Sequence, residues 1–335
     1  MRVTCIFLSY NCERFVAEAM HSMLAQDFAE PMEVIVSDDA STDATFDVLQ
    51  RELRTYQGPH EIRLLRQPRN TGSKSAHLNE VFPLASGEIL VLFDADDVFE
   101  PHRVRLTMDA FRSDPRVAAV YSQLITMNEA GATLGSGRVP RRPAGTTARR
   151  WFAQVDAYAS GGTLAIRRDV ATCFPPLDGT IYEDVVLPFR ASLLGDVVFI
   201  DEPLIRARRH PGSLTANFDQ FASVENYHAR MQKGFEKVRR QLASRLADID
   251  VVRQREPQHE QEWRELERIA RRSLSEAEST APLFRPDPLA RWLTFFRLAV
   301  RGTHRRDLLQ NAAIAFMPGT YVRYKRRRLA ARASQ

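Results

Sequence analysis

The stretch Glu88-Ile89-Leu90-Val91-Leu92-Phe93-Asp94-Ala95-Asp96-Asp97 narrows the choice of fold more than any other, because five apolar residues in a row stop at three carboxylates. An unbroken apolar run of that length, entered from the turn at Ser86-Gly87, reads as a strand covered on both faces, as in a parallel sheet under helices. The acids then stand at the strand's carboxyl end, the edge where open α/β sheets hold ligands. Hard oxygen ligands at positions i and i+2 suit a divalent cation that also grips phosphate oxygens, so Asp94 and Asp96 are candidate metal ligands. The competing reading is a helix cap: Pro101 marks a helix start, and Asp97 suits the cap.

The flanking sequence repeats this strand-then-polar-loop pattern. Residues 3–9 read as a strand, and residues 13–26 as a helix with Phe15, Val16, Met20, Met23 and Leu24 on one side. A strand at 32–37, a helix through Phe46, Leu49 and Leu53, and a strand at 61–66 follow. The turn Asn70-Thr71-Gly72 then leads into a helix over 73–84. Alternating strands and helices with short connections imply right-handed βαβ units. Beyond them come a helix at 101–111, a strand at 117–121, and a Gly/Pro/Arg-rich segment, 131–150, too long for a simple connector and expected to be mobile or to carry specificity. The pair Gly161-Gly162 enters a strand and lets backbone approach a ligand. Glu183-Asp184 opens a helix through Leu193, and a strand at 197–200 precedes the basic turn Arg208-Arg209-His210-Pro211-Gly212-Ser213-Leu214-Thr215, where Ser213 and Thr215 are expected to cap the next helix.

Length and composition bound the answer. The chain has 335 residues with 44% hydrophobic content, enough for one large α/β domain plus an appendage. Cys5, Cys12 and Cys173 show no metal-ligand or disulfide spacing, which points to a reducing compartment. The apolar run at the N-terminus is too short for a secretory signal, and no apolar segment approaches the ~20 residues of a membrane-spanning helix. The net charge of +5 is modest. No nucleic-acid-binding module is present, and the basic residues do not surround the acidic sheet edge, which argues against a nucleic-acid partner. A receiver-like phosphoryl-transfer protein would place acids at strand ends too, but would not need a second acidic pair about a hundred residues later.

In chain order, Phe7-Leu8-Ser9-Tyr10-Asn11, Ser37-Asp38-Asp39-Ala40-Ser41-Thr42-Asp43, Asn70-Thr71-Gly72, Phe93-Asp94-Ala95-Asp96-Asp97, Glu183-Asp184 and Arg209-His210-Pro211-Gly212-Ser213-Leu214 together resemble family 2 glycosyltransferases of the GT-A fold. The resemblance covers about residues 1–216. It implies an α/β, Rossmann-like, mostly parallel sheet flanked by helices, and transfer of a sugar from a nucleotide-diphosphate donor to a hydroxyl of a glycan or lipid-linked acceptor. Residue by residue, it implies Asp38 and Asp39 at the nucleotide, Asp94 and Asp96 at the metal (Mn²⁺ or Mg²⁺) and donor, and Asp184 as catalytic base. Further donor contacts are implied for Ser9, Asn11, Asn70, Gly72 and Ala95, and acceptor contacts for Gly161, Gly162 and Glu183. His210 would close over the diphosphate and reach the metal. Read from the residues alone, the turn at 70–72 is equally a plain turn, and His210 an exposed loop residue.

The chemistry of such a transfer asks for these groups. Charge developing on a leaving diphosphate calls for a Lewis acid, and a carboxylate that takes the acceptor proton from the opposite side makes inversion of the anomeric centre the natural outcome. At a helix start, Asp184 is expected to stay ionised in the helix dipole. The chain lacks the Gln-x-x-Arg-Trp motif of processive synthases, which argues against processive polymerisation. Transfer to a polyprenyl phosphate, or nucleotide binding without transfer, are the alternatives.

The remaining chain differs in kind. Residues 217–281 read as a helical hairpin broken near Pro257, with Phe235, Val238, Leu242, Leu246 and Ile249 and then Trp263, Leu266 and Ile269 at helical spacing. It is expected to pack on the catalytic domain or on a second copy, which leaves homo-oligomers open. In residues 282–335, Trp292, Leu293, Phe295, Phe296, Leu298 and Val300 alternate with Arg291, Arg297 and Arg301 ahead of a basic cluster at 323–328. Such a tail either packs on the domain or lies on an anionic membrane surface, placing the protein in the cytoplasm or peripherally on the inner face of the cell membrane.

Overall fold

The computed structural model describes residues 1–137, 139–154, 157–213, 225–284, 287–300 and 316. The first half forms β1 (Val3–Ser9), α1 (Val16–Leu24), β2 (Glu33–Asp38), α2 (Thr45–Arg54), β3 (Glu61–Arg66), α3 (Lys74–Val81) and β4 (Ile89–Asp94) in turn. Every residue of β1 and β2 is buried, as strands between two helical layers must be. Ser73 caps α3 by accepting from the Ala76 N–H. These four strands pair in parallel, in the order β3-β2-β1-β4. Their register decides where the chemistry sits: Ser9 stands beside Asp38, and Leu8 beside Asp94. Three strand ends therefore deliver their polar groups to one edge.

Past β4 the sheet is mixed. It is built from β5 (Val98–Phe99), α4 (Arg103–Ser113), β6 (Val117–Met127), β7 (Thr133–Ser136), α5 (Ala148–Phe152), β8 (Ala165–Arg167), α6 (Arg168–Thr172), α7 (Glu183–Leu194) and β9 (Asp196–Arg208). β8 runs antiparallel between β4 and β6, β6 and β9 are parallel, and two-residue β5 pairs antiparallel with the far end of β9. β9 runs well past the expected 197–200. Asp201-Glu202-Pro203 has the composition of a strand end, but the register slips there, so that Ile200 faces Ser122 and Pro203 faces Gln123. The extra residues bulge out and pairing resumes. The segment 131–150 likewise holds β7 and the start of α5 rather than one long loop.

α8 (Glu225–Arg255), α9 (Glu260–Thr280) and α10 (Pro288–Val300) complete the described chain. A short turn of 3-10 helix at Pro257–His259 separates α8 from α9. Ile249 and Val252 of α8 and Trp263 and Leu266 of α9 belong to the same buried core as the sheet. Arg190 of α7 and Asp248 of α8 form a buried ion pair at 3.0 Å, and Arg245 donates to the Ala153 carbonyl at 3.0 Å. The hairpin is thus docked along α7. α10 differs: Leu298 is buried, but Leu289, Trp292, Leu293 and Phe296 are exposed. The Trp292 ring also meets Phe316 at 4.4 Å. Among the described residues no helix is long and apolar enough to cross a membrane, and the basic cluster at 323–328 lies outside them.

Removing one partner of a buried ion pair leaves the other charge uncompensated, at a cost of about 3–5 kcal/mol. Asp248→Ala should lose about that much stability in urea unfolding, and Asp248→Ala combined with Arg190→Met should recover most of it. A single variant as stable as the parent would mean that the pair does not hold the hairpin.

Candidate active site

The loops after β1, β2 and β3 are stitched to one another. Asp38 is fully buried and accepts from the Ser9 hydroxyl at 3.2 Å, the Ser41 N–H at 2.9 Å and the Ser41 hydroxyl at 2.5 Å. Asp39 accepts from the Thr71 N–H and hydroxyl, both at 2.9 Å, and from the Asn70 amide at 3.1 Å. The Asn11 side chain accepts from the Thr42 N–H at 2.8 Å. Asn11, Ala40 and Gly72 all take left-handed backbone, with φ of 47°, 57° and 89°. For Ala40 this costs about 1 kcal/mol, held in place by the bonds around it. In this conformation Ser9, Asn11, Asp38, Asp39 and Asn70 build a rigid floor, with Tyr10 exposed above it.

The carboxyl end of β4 sorts its acids by partner. Asp94 meets Lys74 at 2.5 Å, and the same ammonium reaches Glu183 at 3.0 Å. Burial pushes the Asp94 carboxyl up, and Lys74 offsets only part of that. Burial alone would lower the Lys74 ammonium, but Asp94 and Glu183 outweigh it and hold it above the usual lysine range. Asp96 turns the other way, to His210 Nε2 at 3.1 Å. Ala95 is buried between the two acids. Asp97 does not cap α4, whose first turn has no side-chain cap. It is buried instead and accepts the Arg208 N–H at 2.8 Å, because the chain folds back on β9 there. Burial and the neighbouring Asp96 and Asp94 hold its carboxyl well above the usual carboxylate range.

Arg208 anchors the loop that carries His210. Its guanidinium donates to the Asp96 carbonyl at 3.0 Å, the Glu129 carbonyl at 2.7 Å and the Glu18 carboxylate at 2.5 Å. His210 packs on the Phe15 ring at 4.9 Å. The Ser213 hydroxyl donates to the Arg208 carbonyl and accepts the His210 N–H, which closes this turn, and the helix it was expected to cap falls outside the described residues. Leu214 and Thr215 lie outside the described residues.

Glu183 and Asp184 open α7. Contrary to the expectation from the helix dipole, burial dominates at Asp184 and, with Glu183 beside it, pushes the carboxyl up to about 8. Its Oδ1 is buried without a hydrogen-bond partner. Gly161 and Gly162 lie directly against the acids: a Cβ at Gly161 would stand 2.1 Å from Glu183 Oε1, and one at Gly162 2.9 Å from Asp94 Oδ2. Arg103, buried between the Phe93 and Phe99 rings, donates to the Leu92 and Gly162 carbonyls at 2.7 Å each and pins that glycine turn to β4. Lys74, Arg103 and Arg208 were not legible as site residues, since each acts through partners tens of residues away in sequence.

Among the described residues no three His, Cys, Asp or Glu side chains converge into a metal cage. Asp96 with His210 offers a carboxylate and an imidazole, a pair that fits a cation completing its shell with phosphate oxygens and water. Asp94 is turned to Lys74 and would have to exchange that partner to join them.

A parallel sheet carrying acids at its carboxyl edge, faced by an acidic helix start, defines the nucleotide-sugar transferases of the GT-A fold. The chain belongs to glycosyl transferase family 2, whose family model matches residues 4–174. It is 26% identical over 259 residues to an uncharacterized glycosyltransferase of Nostoc sp., covering 74% of this chain and 77% of that protein. It is 33% identical over 129 residues to chondroitin synthase of Escherichia coli, covering 38% of this chain but only 18% of that protein. The fold matches Staphylococcus aureus TarS in complex with UDP-GlcNAc (TM-score 0.55, 16% identity, 91% of this chain and 93% of that one). It also matches the mannosyltransferase PcManGT of Pyrobaculum calidifontis in complex with GDP-Man and Mn²⁺ (TM-score 0.50, 19% identity, 93% and 86%). The protein is a glycosyltransferase that uses a nucleotide sugar.

Gly161→Ala should displace Glu183 from Lys74 and cut turnover at least ten-fold while the unfolding midpoint moves by only a few degrees, because the added methyl meets a carboxylate rather than backbone. Parallel measurement of kcat and Tm checks this; an unchanged kcat would mean that the Glu183–Lys74 contact is dispensable.

Proposed function

We propose that this enzyme moves a sugar from a nucleotide-diphosphate donor to a hydroxyl of a glycan or lipid-linked acceptor, in one displacement that inverts the anomeric centre, and that it depends on a divalent cation. The observation that carries the reading is Asp184: a carboxylate with an unused buried oxygen, beside a Glu183–Lys74–Asp94 row that joins it to the donor edge. Asp184 takes the proton of the acceptor hydroxyl as the acceptor oxygen bonds to the anomeric carbon and the bond to the diphosphate breaks. Asp96 and His210 would hold the cation, which when bound supplies Lewis-acid stabilisation of the departing diphosphate. Lys74 keeps Asp94 and Glu183 oriented, and the floor of Ser9, Asn11, Asp38, Asp39, Asn70 and Gly72 receives the nucleotide. Gly161, Gly162 and Glu183 border the acceptor. Mn²⁺ in the GDP-Man complex of the archaeal mannosyltransferase supports the cation. UDP-GlcNAc, UDP and GDP-Man in solved structures of the fold name the first donors to test.

The Asp184 carboxyl holds its proton more tightly in the folded than in the unfolded chain, so ionising it costs stability as pH rises from ~4 toward 8. Turnover should instead rise with pH through about 8, as the base becomes charged. Asp184→Asn should lose 10²-fold or more in turnover while binding donor normally and unfolding no earlier at pH 8. Asp96→Asn should lose Mn²⁺-dependent binding of a nucleotide diphosphate in calorimetry. Near-normal turnover in the first variant would remove Asp184 from the base role, and unchanged binding in the second would remove Asp96 from the cation.

The exposed face of α10 supports attachment to an anionic membrane surface, where a lipid-linked acceptor would be met. Leu289, Trp292, Leu293 and Phe296 form one apolar stripe beside Arg291 and Arg297, and the sequence that follows is strongly basic. Interfacial burial of the aromatic groups, plus roughly 1 kcal/mol for each basic group near the surface, gives salt-sensitive binding. The full chain should sediment with phosphatidylserine-containing liposomes at low salt, and the combined Trp292→Ser, Leu293→Ser and Phe296→Ser variant should not. Equal sedimentation of both would reject the attachment.

A further inference from the structure

Only four of the 47 basic residues in this chain are lysines; Lys74 pairs with Glu183, and Lys237 sits on Tyr182, the neighbour of that acid in sequence. The rest of the chain uses arginine, whose planar fork suits carboxylates held in fixed geometry, whereas an ammonium is a compact charge on a flexible stem. Lys74 is divided between Asp94 and Glu183. Lys237 arrives from a different element: α8 lays its ammonium over the face of Tyr182, the residue that immediately precedes the acid pair. The aromatic face holds the charge in place without neutralising it. α8 in turn is fixed against α7 by the buried Arg190–Asp248 pair one helix segment further on.

We propose that Lys237 is a positioning residue for the transfer: seated on Tyr182, its ammonium faces the Glu183–Asp184 pair from the hairpin side and favours the carboxylate form of Asp184 that takes the acceptor proton. The role rests on the reading of Asp184 as the base. Four charged groups act on Asp184: Glu183 on its own helix, Lys74 from α3, Asp94 from β4 and Lys237 from α8. The two acids oppose its ionisation and the two lysines favour it, and of the lysines only Lys237 is not shared with Asp94. Conversely, burial pushes Lys237 down to about 8, while Asp184 and Glu183 act to raise it. The two groups therefore titrate against each other, and removing either charge must move the other in a stated direction.

The test reads both. With the full chain reductively ¹³C-methylated, the lysine signal absent from Lys237→Arg identifies Lys237. Its midpoint should fall near 8 in the parent and lower in Asp184→Asn, where the attracting carboxylate is gone. In turnover of whichever of UDP-GlcNAc or GDP-Man the enzyme accepts, Lys237→Met should shift the acid limb of the pH profile upward by about one pH unit, about ten-fold less activity at neutral pH, while Lys237→Arg keeps the parent limb. A Lys237 midpoint indifferent to Asp184→Asn, or an unmoved acid limb in Lys237→Met, overturns the proposal. Coupled titration together with full turnover in Asp184→Asn would sink the base reading, and this role with it.

Discussion

A single buried ammonium, that of Lys74, lets two carboxylates occupy the centre of this site. Left alone, Asp94 and Glu183 would repel each other in a region with little water to screen them, and each would face the cost of burying an unpaired charge. Lys74 removes both difficulties, at 2.5 Å from one and 3.0 Å from the other. Because Asp94 ends β4, Lys74 begins α3 and Glu183 begins α7, this one cation joins three elements, next to the Ser75 hydroxyl that donates to the Ile181 carbonyl. The glycine pair follows from it: side chains at 161 and 162 would occupy the space the carboxylates need.

Around that centre, the acids divide by how completely they are satisfied. Asp38 and Asp39 each collect several donors and serve to shape loops. Asp97 takes a backbone N–H and ties two strands together. Asp184 alone of these keeps a buried oxygen with no partner, which is costly for a structural group and useful for one that must accept a proton.

The first half of the fold was legible because it follows local rules. Buried runs at β1, β2 and β4 and a turn before α3 all announce themselves within a few residues. The second half depends on pairings between distant segments. Nothing near Asp201-Glu202-Pro203 tells that β9 resumes after its bulge, and nothing near Asp97 tells that its partner is the backbone of Arg208. The acids of the site could be picked out because they recur in order along the chain at the carboxyl ends of strands, whereas an acid at a helix start is common by itself. The cations that hold them could not, since Lys74, Arg103 and Arg208 look like ordinary basic residues until the sheet brings their partners within reach. The exposure of Trp292 and Phe296 was likewise beyond the sequence, whose helical spacing is the same for a covered face and an open one.

The family model's match stops at residue 174, whereas Glu183, Asp184, His210 and Lys237 all come later in the chain. The loops built on Asp38 and Asp39 and the acids that end β4 are therefore encoded in one continuous stretch, and the acid pair that opens α7 in another, with Lys74 as the strut between them. Such a division separates two kinds of change. Helices after residue 174 can be lengthened, tilted or replaced so long as one carboxylate still meets the strut, and the strands and loops before it need not alter. With the proposed assignment of the two sides, a protein built this way can acquire a new acceptor without changing what it takes the sugar from.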